Sequence, residues 1–336
     1  MSQATEIRLQ IGVLAAGAWG TALAANWAQR HQVTLWAREP DVVESINAAH
    51  VNRRFLPDIQ LPDSLRATVD LVDLQGADVL VLATPVAGLR STLQALQALY
   101  AGKALPPLVW VCKGFEPKTG LLPHQVVHEV LGDVAAAALS GPSFAQEVAK
   151  GLPTAVTLGS ADLALAEQLA DWLHTPNLRL YASGDVVGVE VGGAVKNVLA
   201  IATGISDGLS LGHNARAALM TRGLAEIGRL CERLGGHRET LTGLVGLGDL
   251  ILTCTGDLSR NRQVGLALGA GKTLQETLNA LGHVAEGVGT AREVARLADE
   301  LQVDMPIARA VAAVIAGELK AKEAVAQLMS RAQRAE

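Results

Sequence analysis

Along the first half of the chain, short apolar runs alternate with stretches whose apolar residues recur at helical spacing. Ile7 to Leu14 reads as a buried strand, and Thr21 to Arg30 as a helix of small and apolar residues. Val33 to Trp36 is a second strand, and Pro40 to Ala49 a helix with proline in its first turn. Strand, helix and strand within about 30 residues form the unit that makes a parallel pair. Val79 to Ala83 and Leu108 to Cys112 are further strands, with weaker candidates at Ala136 to Leu139 and Thr154 to Leu158. This alternation predicts an open parallel sheet covered on both faces. Beyond Gly184 the period changes. Val186 to Ile205, Ala215 to Leu234, Arg262 to Leu268 and Val288 to Leu301 suit helices, and strand runs stop. The expected fold class is α/β: a doubly wound parallel sheet over 1–187, followed by an all-helical domain over 188–336.

Composition narrows the partners. The chain has 336 residues, 49% hydrophobic and 18% charged, with 28 basic against 33 acidic and a net charge of −5. No basic stripe occurs, so nucleic acid is not an expected partner. Cys112, Cys231 and Cys254 are widely spaced and form neither a disulfide framework nor a metal pattern. The eight histidines are scattered, and no metal site is expected. The opening MSQATEIRLQ lacks a basic region before an apolar core, so no signal peptide is expected. No run of 18 apolar residues marks a membrane span. The expected localisation is cytoplasmic.

The loop "AAGAWG" after the first strand nearly completes the dinucleotide fingerprint G-x-G-x-x-G. Gly17 and Gly20 fill its second and third places, and Ala15 stands in the first. In such a loop the second glycine lets the backbone approach a pyrophosphate and the third lets helix and strand pack closely. The helix N-terminus then offers N–H groups and a positive dipole end. The alternative is an ordinary strand-to-helix turn. About 20 residues beyond the glycines, where an acidic residue would bind a ribose 2′-hydroxyl, stands Arg38, which can accept a 2′-phosphate or simply face solvent.

Lys196 lies in the middle of a helix apolar on nearly every side. A lysine so placed is paired, snorkels to an edge, or serves proton transfer with a depressed pKa. Asp249, enclosed by Gly248 and Leu250 to Leu252, needs a cationic or hydrogen-bonding partner, and Lys196 is a candidate. Ser259 can cap the helix after it, and Arg260, Asn261 and Arg262 place donors at its start, which suits a phosphate or a solvated first turn. Ser143 with Gln146 has capping-box spacing. Lys113 follows a strand at its carboxyl end, the edge where ligands bind in parallel sheets.

Taken together, "AAGAWGTALA", "LWAREP", "CKGFEP", "LSGPSFAQEVAKGLPTAV", "GVEVGGAVKNVLAIATGI", "GLVGLGDLILTCTGDLSRNR" and "VAEGVGTAREV" resemble bacterial NAD(P)-dependent glycerol-3-phosphate dehydrogenase over nearly the whole chain. The resemblance implies reversible reduction of dihydroxyacetone phosphate to sn-glycerol 3-phosphate, supply of glycerophospholipid synthesis, NADP or NAD as cofactor with NADPH preferred, and a homodimer. It implies Lys196 as the proton-transfer residue, with Asp249 holding it. It assigns Lys113, Gly141, Ser143, Lys196, Asp249, Ser259, Arg260 and Asn261 to the substrate. It assigns Ala18, Trp19, Arg38, Lys113, Ala145, Arg260, Val284 and Glu286 to the cofactor, beside the loop residues Ala15, Gly17 and Gly20. Two positions depart from the family pattern: Ala15 replaces its first glycine, and Ala18 stands where serine is common. The first is expected to weaken cofactor binding, not to change the fold. Two other readings of the same residues are a related dehydrogenase acting on a 2-hydroxy acid, and a catalytically weakened NADP(H)-binding protein.

Overall fold

The computed structural model describes residues 8–281 and 285–330. They form two compact units. The first takes the described residues up to Cys112 together with Pro123–Val186, and the second takes Lys113–Leu122 and the described residues from Val187 on. The segment 113–122, which a single boundary would leave with the sheet, joins the helical unit. Phe115 and Leu122 are buried in that unit's core, and Arg296 Nη2 donates to Thr119 O at 3.2 Å.

The first unit runs β1 (Gln10–Leu14), α1 (Ala18–Trp27), β2 (Gln32–Trp36), α2 (Pro40–Ala49), β3 (Arg66–Thr68), β4 (Val79–Leu82), α3 (Val86–Leu99), β5 (Leu108–Trp110), α4 (Pro123–Leu131), β6 (Ala136–Ser140), α5 (Ala145–Ala149), β7 (Thr154–Gly159), α6 (Leu163–Leu173) and β8 (Leu178–Ser183). The eight strands stand in the order β3-β2-β1-β4-β5-β6-β7-β8. β1 lies between β2 and β4, with Leu14 opposite both Trp36 and Leu82. Four of the five β1 residues are buried, as a parallel strand covered on both faces requires. All pairs are parallel except β6 with β7, which is antiparallel. The fully parallel sheet expected from the alternation therefore has one exception. Between those strands the chain carries only the five-residue helix α5, too short to lead it back along the sheet as a crossover must. Trp27 is fully buried, and its Nε1 donates to Leu173 O at 2.9 Å, tying α1 to the end of α6.

Among its described residues the second unit has helices and loops but no strand, and its α-helices are α7 (Val186–Gly208), α8 (Gly212–Arg233), α9 (Asp249–Thr255), α10 (Arg260–Gly269), α11 (Leu274–Leu281), α12 (Glu286–Glu300), α13 (Pro306–Ala316) and α14 (Ala321–Met329). A π-helical turn, Leu244–Gly248, leads into α9. Helix α7 is long and apolar enough to cross a membrane, yet 89% of its apolar window is buried inside the protein. Its apolar character on every side is that of a core helix. Against α10 it packs without room for side chains, since a Cβ on Gly204 would lie 2.2 Å from Arg262 O and one on Gly265 2.1 Å from Ile201 O.

Candidate active site

In the first unit, the loop after β1 has the form its glycines require. Helix α1 begins at Ala18 with Gly17 as its N-cap and no side chain capping it, so its first-turn N–H groups are left for a ligand. It starts earlier than the apolar spacing predicts, placing Ala18, Trp19 and Gly20 in that first turn. A Cβ on Gly17 would meet nothing within 4 Å, whereas one on Gly20 would strike Ala15 O at 2.1 Å. Open space at the second glycine and close packing at the third fit a bound pyrophosphate. Ala15 itself has φ +88°, the region that favours glycine, and its N–H donates to Trp36 O at 2.9 Å. Arg38, just beyond β2, is 80% exposed, with Glu39 at 3.9 Å as a loose ion partner. Its charge is thus available at the place where a 2′-phosphate would be read.

Ser143 does not cap a helix. Helix α5 starts two residues later, at Ala145 with Phe144 as N-cap, and the Ser143 hydroxyl donates to Gly141 O at 3.0 Å. The capping-box spacing fails because Gly141 to Phe144 form a loop rather than a helical turn. That loop hugs the sheet: a Cβ on Gly141 would lie 3.0 Å from Val156 Cα.

In the second unit, Lys196 and Asp249 are paired as their burial demands. Lys196 is 6% exposed and Asp249 fully buried. The Lys196 ammonium donates to Asp249 Oδ1 and, at 2.8 Å, to Thr253 Oγ1. Thr253, one turn along α9 from Asp249, donates its own proton to Asp249 O at 2.6 Å. The other carboxylate oxygen, Oδ2, accepts from Lys113 Nζ at 2.7 Å. Two ammonium groups therefore share one carboxylate, and the cluster is net positive when both are protonated. Burial pulls the Lys196 pKa down to about 8, against the pull of Asp249 upward, while Lys113 lowers it further and Glu286, at the start of α12, raises it. A cationic, water-poor donor with a pKa near neutrality can give a proton to an oxygen that is gaining negative charge, and can take one back.

Beside this cluster lies a chain of amides. Asn261 Nδ2 donates to Asn197 Oδ1 at 2.9 Å, and Asn261 Oδ1 accepts from Gly287 N–H at 3.0 Å. Asn197 Nδ2 is buried with no hydrogen-bond partner among the described residues. Ser259 caps α10, accepting from Arg262 N–H at 3.2 Å. Of the three polar residues after it, Arg262 is committed to Asp207 at 2.8 Å and Asp257 at 3.0 Å, Asn261 is held inside, and Arg260 is exposed. Of these three, Arg260 is the one that is exposed and whose charge is uncommitted. Val284 lies outside the described residues. The sequence reading missed Thr253 and Asn197. Thr253 carried a signal in its spacing four residues from Asp249, and Asn197 in its place beside Lys196 on a helix buried all round.

The comparisons with known proteins cover both units. The family description "NAD-dependent glycerol-3-phosphate dehydrogenase N-terminus" matches residues 10–166, and the corresponding C-terminus matches residues 185–326. Glycerol-3-phosphate dehydrogenase (NAD(P)+) of Dechloromonas aromatica is 61% identical over 325 residues, 96% of this chain and 98% of its own. The enzyme of the same name from Thiobacillus denitrificans is 58% identical, over 98% of this chain and all of its own. The crystal structure of glycerol-3-phosphate dehydrogenase from Coxiella burnetii superposes with a TM-score of 0.91 at 44% identity, covering 96% of this chain and 99% of that one.

Proposed function

The chain belongs to the NAD-dependent glycerol-3-phosphate dehydrogenase family, and from that premise we propose how its residues divide the reaction. It is an oxidoreductase that interconverts dihydroxyacetone phosphate and sn-glycerol 3-phosphate with NAD or NADP. The reduced nicotinamide, when bound, supplies a hydride to the carbonyl carbon. Lys196 gives the carbonyl oxygen its proton and is left neutral, to be recharged from solvent. Asp249 holds the ammonium in place and offsets the cost of its burial, and Thr253 fixes its direction. Lys113, on the opposite oxygen of Asp249, adds positive charge where the oxyanion develops. In the helical unit, Ser259, Arg260 and Asn261 at the start of α10 hold the substrate, with Arg260 the uncommitted charge for its phosphate, so that binding there orients the reacting carbon. Within the first unit, Ala15, Gly17, Ala18, Trp19, Gly20, Arg38 and Ala145 hold the cofactor. Arg38 favours NADPH through the 2′-phosphate. A homodimer working in the cytoplasm to feed glycerophospholipid synthesis completes the proposal.

The observation that carries this reading is the buried Lys196 ammonium on Asp249 in a chain of this family. Its test is NADPH oxidation with dihydroxyacetone phosphate, with unphosphorylated dihydroxyacetone and with 2-keto acids, followed across pH. The phosphorylated ketone is expected to be turned over at a kcat/KM at least 10²-fold above the others. Reduction uses protonated Lys196 and is expected to slow as pH rises through about 8. Oxidation of sn-glycerol 3-phosphate uses the neutral amine and is expected to speed up over the same range. Replacing NADPH by NADH is expected to raise the cofactor KM, and Arg38→Ala to remove most of that difference. Preferred turnover of a 2-keto acid would instead support the hydroxy-acid reading.

A further inference from the structure

Helix α7 and the segment leading into α9 meet in matched steps. Gly192 faces Val245, and four residues later on both sides Lys196 faces Asp249. The first contact is backbone against backbone: a Cβ on Gly192 would lie 2.7 Å from Val245 O and 3.1 Å from Leu241 Cδ2. Between Val245 and Asp249 the chain is not α-helical. Gly248 N–H donates to Gly243 O at 3.1 Å, and Asp249 N–H donates to Leu244 O, both five residues back. This π turn closes only because position 246 has no side chain, since a Cβ there would lie 2.0 Å from Leu241 O. One extra residue in a helical turn rotates everything after it by about 100°. The turn therefore decides which face of α9 carries Asp249 and Thr253.

We propose that the π turn Leu244–Gly248, seated on Gly192, is the positioning device for proton transfer: it sets the register that brings Asp249 onto Lys196. Gly192 and Gly246 are positioning residues that act through Asp249. The proposal rests on the role given to Lys196 above only for its effect on turnover. Its geometric content concerns how Lys196 is paired. The groups that face Lys196 are Asp249, Thr253 and Cys254 on α9, Lys113 on the 113–122 segment and Glu286 on α12. Of these, Asp249 gives the largest upward pull on its titration, so separating the pair has a sign.

The test uses the full chain labelled with 13Cε-lysine. The Lys196 resonance is identified by its absence from Lys196→Met, and its titration is followed by NMR beside kcat, KM and thermal melting. Gly192→Ala is expected to melt cooperatively and to lower the Lys196 pKa by about one unit as Asp249 recedes. The kcat is expected to drop about 10- to 100-fold with KM for the ketone within threefold, as for a reacting group misplaced by about 1 Å. Deleting Leu247, an exposed residue, shortens the π turn to an α turn and provides a second route to the same result if Gly192→Ala does not fold. Gly223→Ala, whose added Cβ meets the Leu199 side chain first, is the packing control and is expected to leave both readouts unchanged. A Lys196 titration that stays put or moves upward in a folded Gly192→Ala or Leu247-deleted chain overturns the proposal. The titration needs no turnover, so it stands or falls apart from the role of Lys196: a lowered pKa with Lys196→Met still fully active would sink the proton-transfer reading alone.

Discussion

Ala15 holds φ +88° in the fold itself, with its N–H bonded to Trp36 O and its carbonyl pressed against Gly20. A non-glycine residue kept in that region costs about 1–3 kcal/mol. Alanine recovers about 0.4–1 kcal/mol of this by restricting the unfolded chain. The sequence alone places the cost at cofactor binding. The observed φ places it in the fold. Ala15→Gly is therefore expected to raise the melting temperature by a few degrees, with NADPH affinity changing by less than the threefold that a ligand-specific strain requires. Calorimetry of the two proteins checks this, and an unchanged or lower melting temperature would contradict it. Other residues of the site were legible to different degrees. A buried lysine and a buried aspartate on apolar helices must find opposite charge, so their pairing follows from the desolvation each would otherwise suffer. The share of Lys113 in that carboxylate was not legible, because it sits 136 residues from Asp249 and reaches it by a loop anchored through Phe115 and Leu122.

At the scale of elements, the strands inside the sheet announced themselves as apolar runs, and β1, β2, β4 and β5 lie where those runs predict. The edge strands did not. In β8, Leu178 and Leu180 point inward while Arg179 and Tyr181 face out, so no continuous run forms, and β3 spans only three residues. Helix α13 was also missed, and its anchor is tertiary. Glu226 on α8 accepts from Ile307 N–H at 2.8 Å and Ala308 N–H at 3.1 Å, capping a helix that has no cap of its own. Burial raises its pKa to about 7, against the pull of those two N–H groups and Arg229. A carboxyl raised in the fold gives stability that is full below its unfolded pKa and is lost as pH rises through the folded value. Glu226→Gln is therefore expected to be less stable than the parent at pH 5, with the gap narrowing by pH 8. Urea midpoints at the two pH values read this directly, and a gap that stays constant or widens would show that ionisation of Glu226 does not weaken the cap.

At the scale of the whole molecule, the sheet unit carries the glycine loop at the start of α1, and the helical unit carries the buried Lys196 ammonium with its carboxylate and second ammonium. The strand period gives way to the helix period near residue 184, and the chain enters the second unit for its long remainder at Val187. The return of residues 113–122 to the helical unit is not readable, because it depends on where Phe115 and Leu122 find a core. On the roles proposed above, removing the ammonium is expected to slow chemistry without altering the glycine loop of the sheet unit. Lys196→Met keeps the length and apolar stem of the side chain and deletes the charge. The decisive measurement is kcat for reduction of dihydroxyacetone phosphate in this variant, beside its NADPH Kd and melting curve. The account predicts a cooperative melt, a Kd within about threefold of the parent, and a kcat lower by about 10²-fold or more. A kcat near that of the parent would contradict it.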